Sequence, residues 1–150
     1  MDLEAELERL GLWHRFIEKE ETVHTADASD ATGIPLHRIT KNLISETSTG
    51  ERVLLVVPGD RKVDLKAAAE ALGVTNVKLY LFSKAHEVSG YPPGGTPTVG
   101  LKEKLRTVID SETAEMETFY CGGGSRDRLV ELRSDQVIEA TGAVVAPIAK

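Results

Sequence analysis

Lys41-Asn42-Leu43-Ile44-Ser45-Glu46, Ser48-Thr49-Gly50 and Arg52-Val53-Leu54-Leu55-Val56-Val57 carry the clearest structural signal in the chain. Two aliphatic runs bracket a Ser-Thr-Gly turn, the pattern of an antiparallel hairpin. The returning run is apolar throughout. Pro58-Gly59-Asp60 ends it, and Asp64 then caps a helix from Leu65 to Leu72 that stops at Gly73. Upstream, Leu3, Leu7 and Leu10 share one face of a short helix ended by Gly11. Trp13, Phe16 and Ile17 read as a core-packing turn and strand. Thr25 reads as the N-cap of a helical turn terminated by Gly33, and Pro35 opens a further short helical segment near Ile39.

Beyond Gly73, Asn76–Leu81 alternates as a strand, and Ser83 reads as the cap of a short helix through Val88. Arg106–Asp110, Glu115–Cys121 and Arg128–Arg133 read as three more strands. Ser134 or Asp135 caps a helix over Gln136–Thr141, Gly142 ends it, and Ala143–Ile148 closes the chain as an apolar strand. The expected class is α+β: a curved mixed β-sheet, or a barrel-like one, flanked by short helices.

A chain of 150 residues with 41% hydrophobic side chains is expected to form one domain over 1–150 with a real core. No apolar run approaches the roughly 20 residues that span a bilayer. The acidic start, Met1-Asp2-Leu3-Glu4, lacks the basic and apolar regions of a signal peptide. Cys121 is the single cysteine, so no internal disulfide forms. These features lead to the expectation of a soluble cytoplasmic protein with no membrane partner. Net charge is −6, which argues against general nucleic-acid binding. The middle third is nonetheless basic, through Arg61, Lys62, Lys66, Lys102, Lys104 and Arg106. One basic face and a set of unrelated solvated side chains are equally open readings.

The stretch Ser89–Gly100 packs four glycines and three prolines into twelve residues. Glycine admits positive φ and close backbone approach, and proline removes freedom. A rigid ligand-gripping loop and an ordinary surface turn both fit. A second glycine run, Gly122-Gly123-Gly124-Ser125-Arg126, and Lys41 at the mouth of an apolar strand favour one site built from separate loops. Lys41 offers three donors for a phosphate, carboxylate or ribose; its bland reading is a strand-edge lysine. His14, His24, His37 and His86 show no metal-ligand spacing, so no metal is expected. Cys121 reads as a small buried hydrophobe sooner than a nucleophile. Neither glycine run fits a nucleotide-binding fingerprint.

His24-Thr25-Ala26-Asp27, Ile39–Ile44, the Pro58–Lys66 block, Gly90–Gly95, Gly122–Arg126 and Ala140–Ala143 follow one another in the order and spacing of a known family. From about residue 20 to the end, the chain resembles the YbaK/ProX family, freestanding relatives of the editing domain of bacterial prolyl-tRNA synthetases. The resemblance implies a trans-editing deacylase that hydrolyses the ester of a mischarged tRNA, typically Cys- or Ala-tRNA(Pro). It implies that Lys41 positions the terminal nucleotide, and that Gly122, Gly123 and Ser125 form a loop facing the carbonyl. It implies a substrate pocket formed by His24, Gly94, Gly95, Thr96, Pro97, Thr98, Gly124 and Arg126, with the tRNA 2′-OH or the substrate side chain assisting. His24 reads equally as a structural histidine beside a helix start. Where the family loop usually reads G-x-x-x-P, Thr98 follows Gly94 and the proline stands at Pro97, a departure that bears on which amino acid fits. The implied partners are the aminoacylated 3′ adenosine of tRNA and a synthetase; no cofactor is implied, and no pattern bears on oligomeric state. The alternative is a non-catalytic module that binds an aminoacyl-adenosine-like ligand or a synthetase.

Overall fold

The computed structural model describes all residues from Met1 to Lys150. Eight strands form two sheets. The larger has five strands in the order β4 (Val77–Leu79), β2 (Thr40–Thr47), β3 (Arg52–Pro58), β5 (Arg106–Asp110), β8 (Val144–Ala146). Its first three strands pair antiparallel and the last two join in parallel, so the sheet is mixed. The smaller sheet is antiparallel, in the order β1 (His14–Glu18), β7 (Arg128–Arg133), β6 (Thr118–Gly122). A single bridge between Ile39 and Tyr120 stitches the two together beside the start of β2.

The apolar run of β3 now has its reason. Leu54 and Val56 point into the space between the sheets, against Phe119, Cys121, Val130 and Leu132 and against Leu3 and Leu7 of helix α1 (Leu3–Leu10). Their neighbours Val53, Leu55 and Val57 point the other way, onto Ala68, Ala69 and Leu72 of helix α3 (Leu65–Leu72). A strand's side chains alternate between faces, so a strand covered on both reads as continuously apolar. At roughly 1.5–3 kcal/mol per fully buried aliphatic side chain, β3 is the main source of stability in its sheet.

The helices follow their caps. Asp2 accepts from the Ala5 N–H and Asp64 from the Ala67 N–H, each at 3.1 Å, while Gly11 and Gly73 close α1 and α3 in the left-handed region. Helix α2 spans Thr25–Thr32, so Thr25 is its first residue and His24 occupies the cap position without a side-chain bond. The short helix α4 (Ala85–Ser89) begins after a 3-10 turn that absorbs Ser83. Ser134 opens α6 (Ser134–Thr141), with Arg133 at the cap. One helix has no counterpart in the sequence reading: α5 (Ser111–Glu115) occupies the start of the strand expected from Glu115. The Asp110 carboxylate accepts from the Glu112 N–H at 3.0 Å and starts it, and five residues are too few to show a helical period.

Glu131 braces the outside of the smaller sheet. Its carboxylate accepts from Arg15 at 2.9 Å and from the Thr118 hydroxyl at 2.7 Å, and Arg38 lies 3.8 Å away. Burial opposes its ionisation, but the bonds from Thr118 and Arg15 and the charges of Arg15 and Arg38 outweigh it and hold the carboxyl below its ordinary value. A depressed folded-state pKa contributes stability above the unfolded value, about 4.3 for Glu, and loses it as pH falls through the folded value. Acid titration of unfolding should therefore show wild type losing stability below about pH 4 relative to Glu131→Gln. Parallel curves for the two proteins would contradict this role.

Candidate active site

The unequal partners of β2 decide where the cavity lies. β3 pairs with it over Thr40–Glu46, whereas β4 covers only Ser45–Thr47 on the other edge. Thr40–Leu43 is left without a strand partner on that side, and a cavity of about 490 Å³ opens there. Its wall is completed by Thr22–Ala26 at the start of α2, by Leu79, Tyr80 and Phe82 after β4, and by Gly94, Thr96 and Gly122. No Asp or Glu lines it, although the chain carries 24 of them, while Lys41 does.

The two glycine loops meet backbone to backbone behind this wall. The Gly124 N–H donates to Gly95 O at 2.8 Å. A Cβ on Gly122 would lie 2.5 Å from Gly95 C and 2.6 Å from both N and O of Thr96. A Cβ on Gly95 would lie 2.8 Å from Ser125 N. Gly94 has φ +84°, and a Cβ there would meet Thr22 O at 2.6 Å. These glycines serve close approach, since no side chain fits between the strands of backbone.

Asn42 fastens this assembly to β2. Its Nδ2 donates to Thr96 O at 3.0 Å and its Oδ1 accepts from the Thr98 hydroxyl at 2.8 Å. Gly95, Pro97, Thr98 and Gly123 are buried, Gly124 and Ser125 are half-buried, and none of the six lines the cavity. Lys41, His24, Gly94, Thr96 and Gly122 are the expected site residues that the fold brings onto the wall itself. Arg126 faces a separate shallow depression that it shares with His24, and its Nε donates to Pro93 O at 2.9 Å. Sequence reasoning missed Asn42 as a site residue; a polar side chain inside an otherwise apolar strand was the signal available.

The donors divide in a telling way. The N–H groups of Gly95 and Gly123 go to Pro92 O at 2.9 Å and Arg128 O at 3.1 Å, and that of Gly124 is also engaged. Those of Gly94 and Thr96 donate to no other protein group. Both residues are partly exposed and line the cavity, so these N–H groups are available to a ligand's acceptor without breaking a bond inside the protein. Lys41 Nζ donates to Arg61 O at 2.8 Å, which leaves two of its three protons free. Ser125 Oγ is directed to Asp127 at 2.6 Å. Cys121 lies fully buried beside Thr98, and burial pushes its thiol up to about 11, so it is a protonated core side chain at neutral pH.

The Thr22–His24 segment is held over Gly94 by Lys19, whose ammonium bonds Arg126 O and, at 2.7 Å, the Thr22 hydroxyl. Burial lowers the pKa of Lys19 despite nearby carboxylates. Two of the basic residues of the middle third stand at opposite ends of β3. Arg61 follows the end of β3 and pairs with Glu112 at 3.3 Å, whereas Arg106 stands opposite Val53 at its start and binds Glu51 at 2.9 Å.

A family model described as an aminoacyl-tRNA editing domain matches residues 19–140. The chain belongs to that family. Among similar proteins, EbsC of Enterococcus faecalis, named as a candidate Cys-tRNA(Pro)/Cys-tRNA(Cys) deacylase, is 25% identical over 90% of this chain and 82% of its own. A proline–tRNA ligase of Cupriavidus necator is 29% identical over 73% of this chain, which matches only 19% of that enzyme. The crystal structure of the hypothetical protein APE2540 superposes with a TM-score of 0.91 at 30% identity, covering 100% of both chains. A candidate trans-editing enzyme for prolyl tRNA synthetase superposes with a TM-score of 0.86 at 24% identity over 99% of this chain and 95% of its own, a likeness of fold. Aminoacyl-tRNA editing is deacylation, so the chain is an enzyme of the hydrolase class.

Gly122→Ala should lower the unfolding free energy by about 1–3 kcal/mol, because the new methyl must displace Gly95 and Thr96. Denaturant titration checks this, and an unchanged midpoint would show that the loops separate freely. Cys121 should resist alkylation at pH 8 until the protein is unfolded. Rapid labelling of the native protein would contradict its burial.

Proposed function

We propose that the protein is a trans-editing deacylase that removes a misattached amino acid from the 3′ end of tRNA, with Cys- or Ala-tRNA(Pro) as its substrate. The observation that carries this reading is the donor set of the cavity. Unpaired Gly94 and Thr96 N–H groups and Lys41 line it, and no carboxylate does. An ester activated by its ribose leaving group needs little beyond orientation and donors aimed at the oxyanion. Water adds to the carbonyl carbon, negative charge gathers on the carbonyl oxygen, and the bond to the ribose 3′ oxygen breaks as that oxygen takes a proton. In a cavity without a buried acid or base, the vicinal 2′-OH or the substrate's own side chain is the group nearest at hand for the proton.

Lys41 suits the anionic part of this substrate. It holds a terminal phosphate or ribose at the unpartnered edge of β2, where Lys41 lines the same cavity as Thr96. His24, exposed at the start of α2, and Arg126 beyond it stand along the route a tRNA end takes to the cavity. The net charge of −6 predicts weak affinity for the body of tRNA, with a synthetase as the partner that delivers it. One observation favours a non-catalytic binding module instead: the N–H groups of Gly95, Gly123 and Gly124 are all engaged inside the protein.

The deciding experiment is a deacylation panel of tRNA(Pro) charged with cysteine, alanine, serine or proline. Selective hydrolysis of one mischarged species is expected, with Lys41→Ala reducing it at least about tenfold. The same variant should lose less than about 1 kcal/mol of stability, because its hydrogen bond to Arg61 O is exposed. Wild-type turnover by Lys41→Ala would contradict the assignment, and no turnover of any species by wild type would favour the binding module.

A further inference from the structure

We infer that Phe82 is a stacking platform for the nucleobase that precedes the terminal adenosine. This rests on the deacylase reading for its ligand and assigns a role to the outer rim of the cavity wall. Phe82 is 65% exposed and Leu81 62%, in a protein whose other phenylalanines are buried or half-buried. With Leu79 these residues form a run of exposed apolar side chains, the kind of patch that marks an interaction site.

The position of Phe82 ties this patch to the cavity. β4 ends at Leu79, and the Tyr80 N–H donates to Ile44 O at 2.9 Å, the last backbone bond to β2 on that side. From there Leu81 and Phe82 leave the sheet, so Leu79, Tyr80 and Phe82 form a rim continuous with the wall against Leu43 and Ile44. The 3-10 turn over Phe82–Lys84 and helix α4 fix this rim through Val88 and Ser89, both buried.

The charge around the ring suits a polyanion. Between Val77 and His86 the chain carries Lys78 and Lys84 and no carboxylate, and Glu87 follows in the first turn of α4. Lys78 stands opposite Glu46 across the strand pair, so Lys84, two residues beyond Phe82 in the same 3-10 turn, is the cation of this segment, and His86 lines the cavity. A ligand whose anionic linkage is held at Lys41 and whose next base leaves the cavity meets an exposed aromatic face with Lys84 in the same turn. That combination binds single-stranded nucleic acid without reading sequence. An apolar protein segment would use the ring but gain nothing from the lysine, so a nucleobase is the occupant the surface favours.

The test uses the full chain and two stable probes: cytidylyl-adenosine bearing alanine through a 3′ amide, and the same molecule with an abasic riboside in place of cytidine. Neither is an ester, so binding is read whether or not the protein is a deacylase. Wild type should bind the cytidine probe about tenfold more tightly than the abasic one. Phe82→Ala should erase that preference, whatever the lost wall contact does to affinity for the abasic probe, and Phe82→Tyr should retain it. Equal affinity of wild type for the two probes would overturn the proposal, as would a Phe82→Ala variant weakened equally toward both. A change of oligomeric state in Phe82→Ala with the base preference intact would also overturn it and make the rim a protein interface. A base preference that persists in a protein unable to hydrolyse any aminoacyl ester would uphold the platform and remove only the deacylase reading.

Discussion

Everything in the site hangs on one contact without side chains. The Gly95–Thr96 peptide lies against Gly122 and Ser125 at distances that leave no room for a Cβ, and the Gly124 N–H closes the contact on Gly95 O. Because β6 ends at Gly122, this contact ties the glycine-proline loop to the smaller sheet. Because Asn42 holds Thr96 and Thr98, it also ties that loop to the larger one. Thr96 is thereby held from both sides, and both it and Gly94 line the cavity. A rigid donor pair is what electrostatic stabilisation requires, since donors that must reorganise during the reaction lose their advantage.

The chemistry of the cavity is defined by what surrounds those donors. A chain of net charge −6 keeps its carboxylates off the lining and uses them elsewhere, as with Glu131 between Arg15 and Arg38 or Glu51 on Arg106. Cys121 lies next to Gly122 in sequence, yet it faces the core and supports the loop from behind. The result is a cavity whose wall holds Lys41 and the glycine-loop residues Gly94, Thr96 and Gly122 and no carboxylate. Membership of the aminoacyl-tRNA editing family agrees with such a pocket, because the bond to be broken is already activated.

Local signals in the sequence carried much of this. The β2–β3 hairpin, the caps Asp64 and Gly73 and the paired glycine runs were all readable from neighbouring residues. Three features were not, each for a physical reason. Helix α5 is five residues long and starts from a side-chain cap at the end of a strand, so it leaves no period to detect. The bonds of Asn42 to Thr96 and Thr98 join residues more than fifty positions apart, which no local pattern encodes. The cavity itself exists because β4 is only three residues long, and strand ends are set by pairing in three dimensions. The same limit applies to the glycine donors: sequence marks which residues are glycine, but only the packed loops show which N–H groups remain open.

The measurement that bears most directly on this account is an amide-resolved NMR titration with alanine joined by an amide to the 3′ position of adenosine. The central claim is that Gly94 and Thr96 present the open donors of the site. Their amide protons should shift downfield on binding, while those of Gly95, Gly123 and Gly124, already bonded within the protein, should move little. Binding that shifts the Gly123 and Gly124 amides and leaves Gly94 and Thr96 unmoved would contradict it.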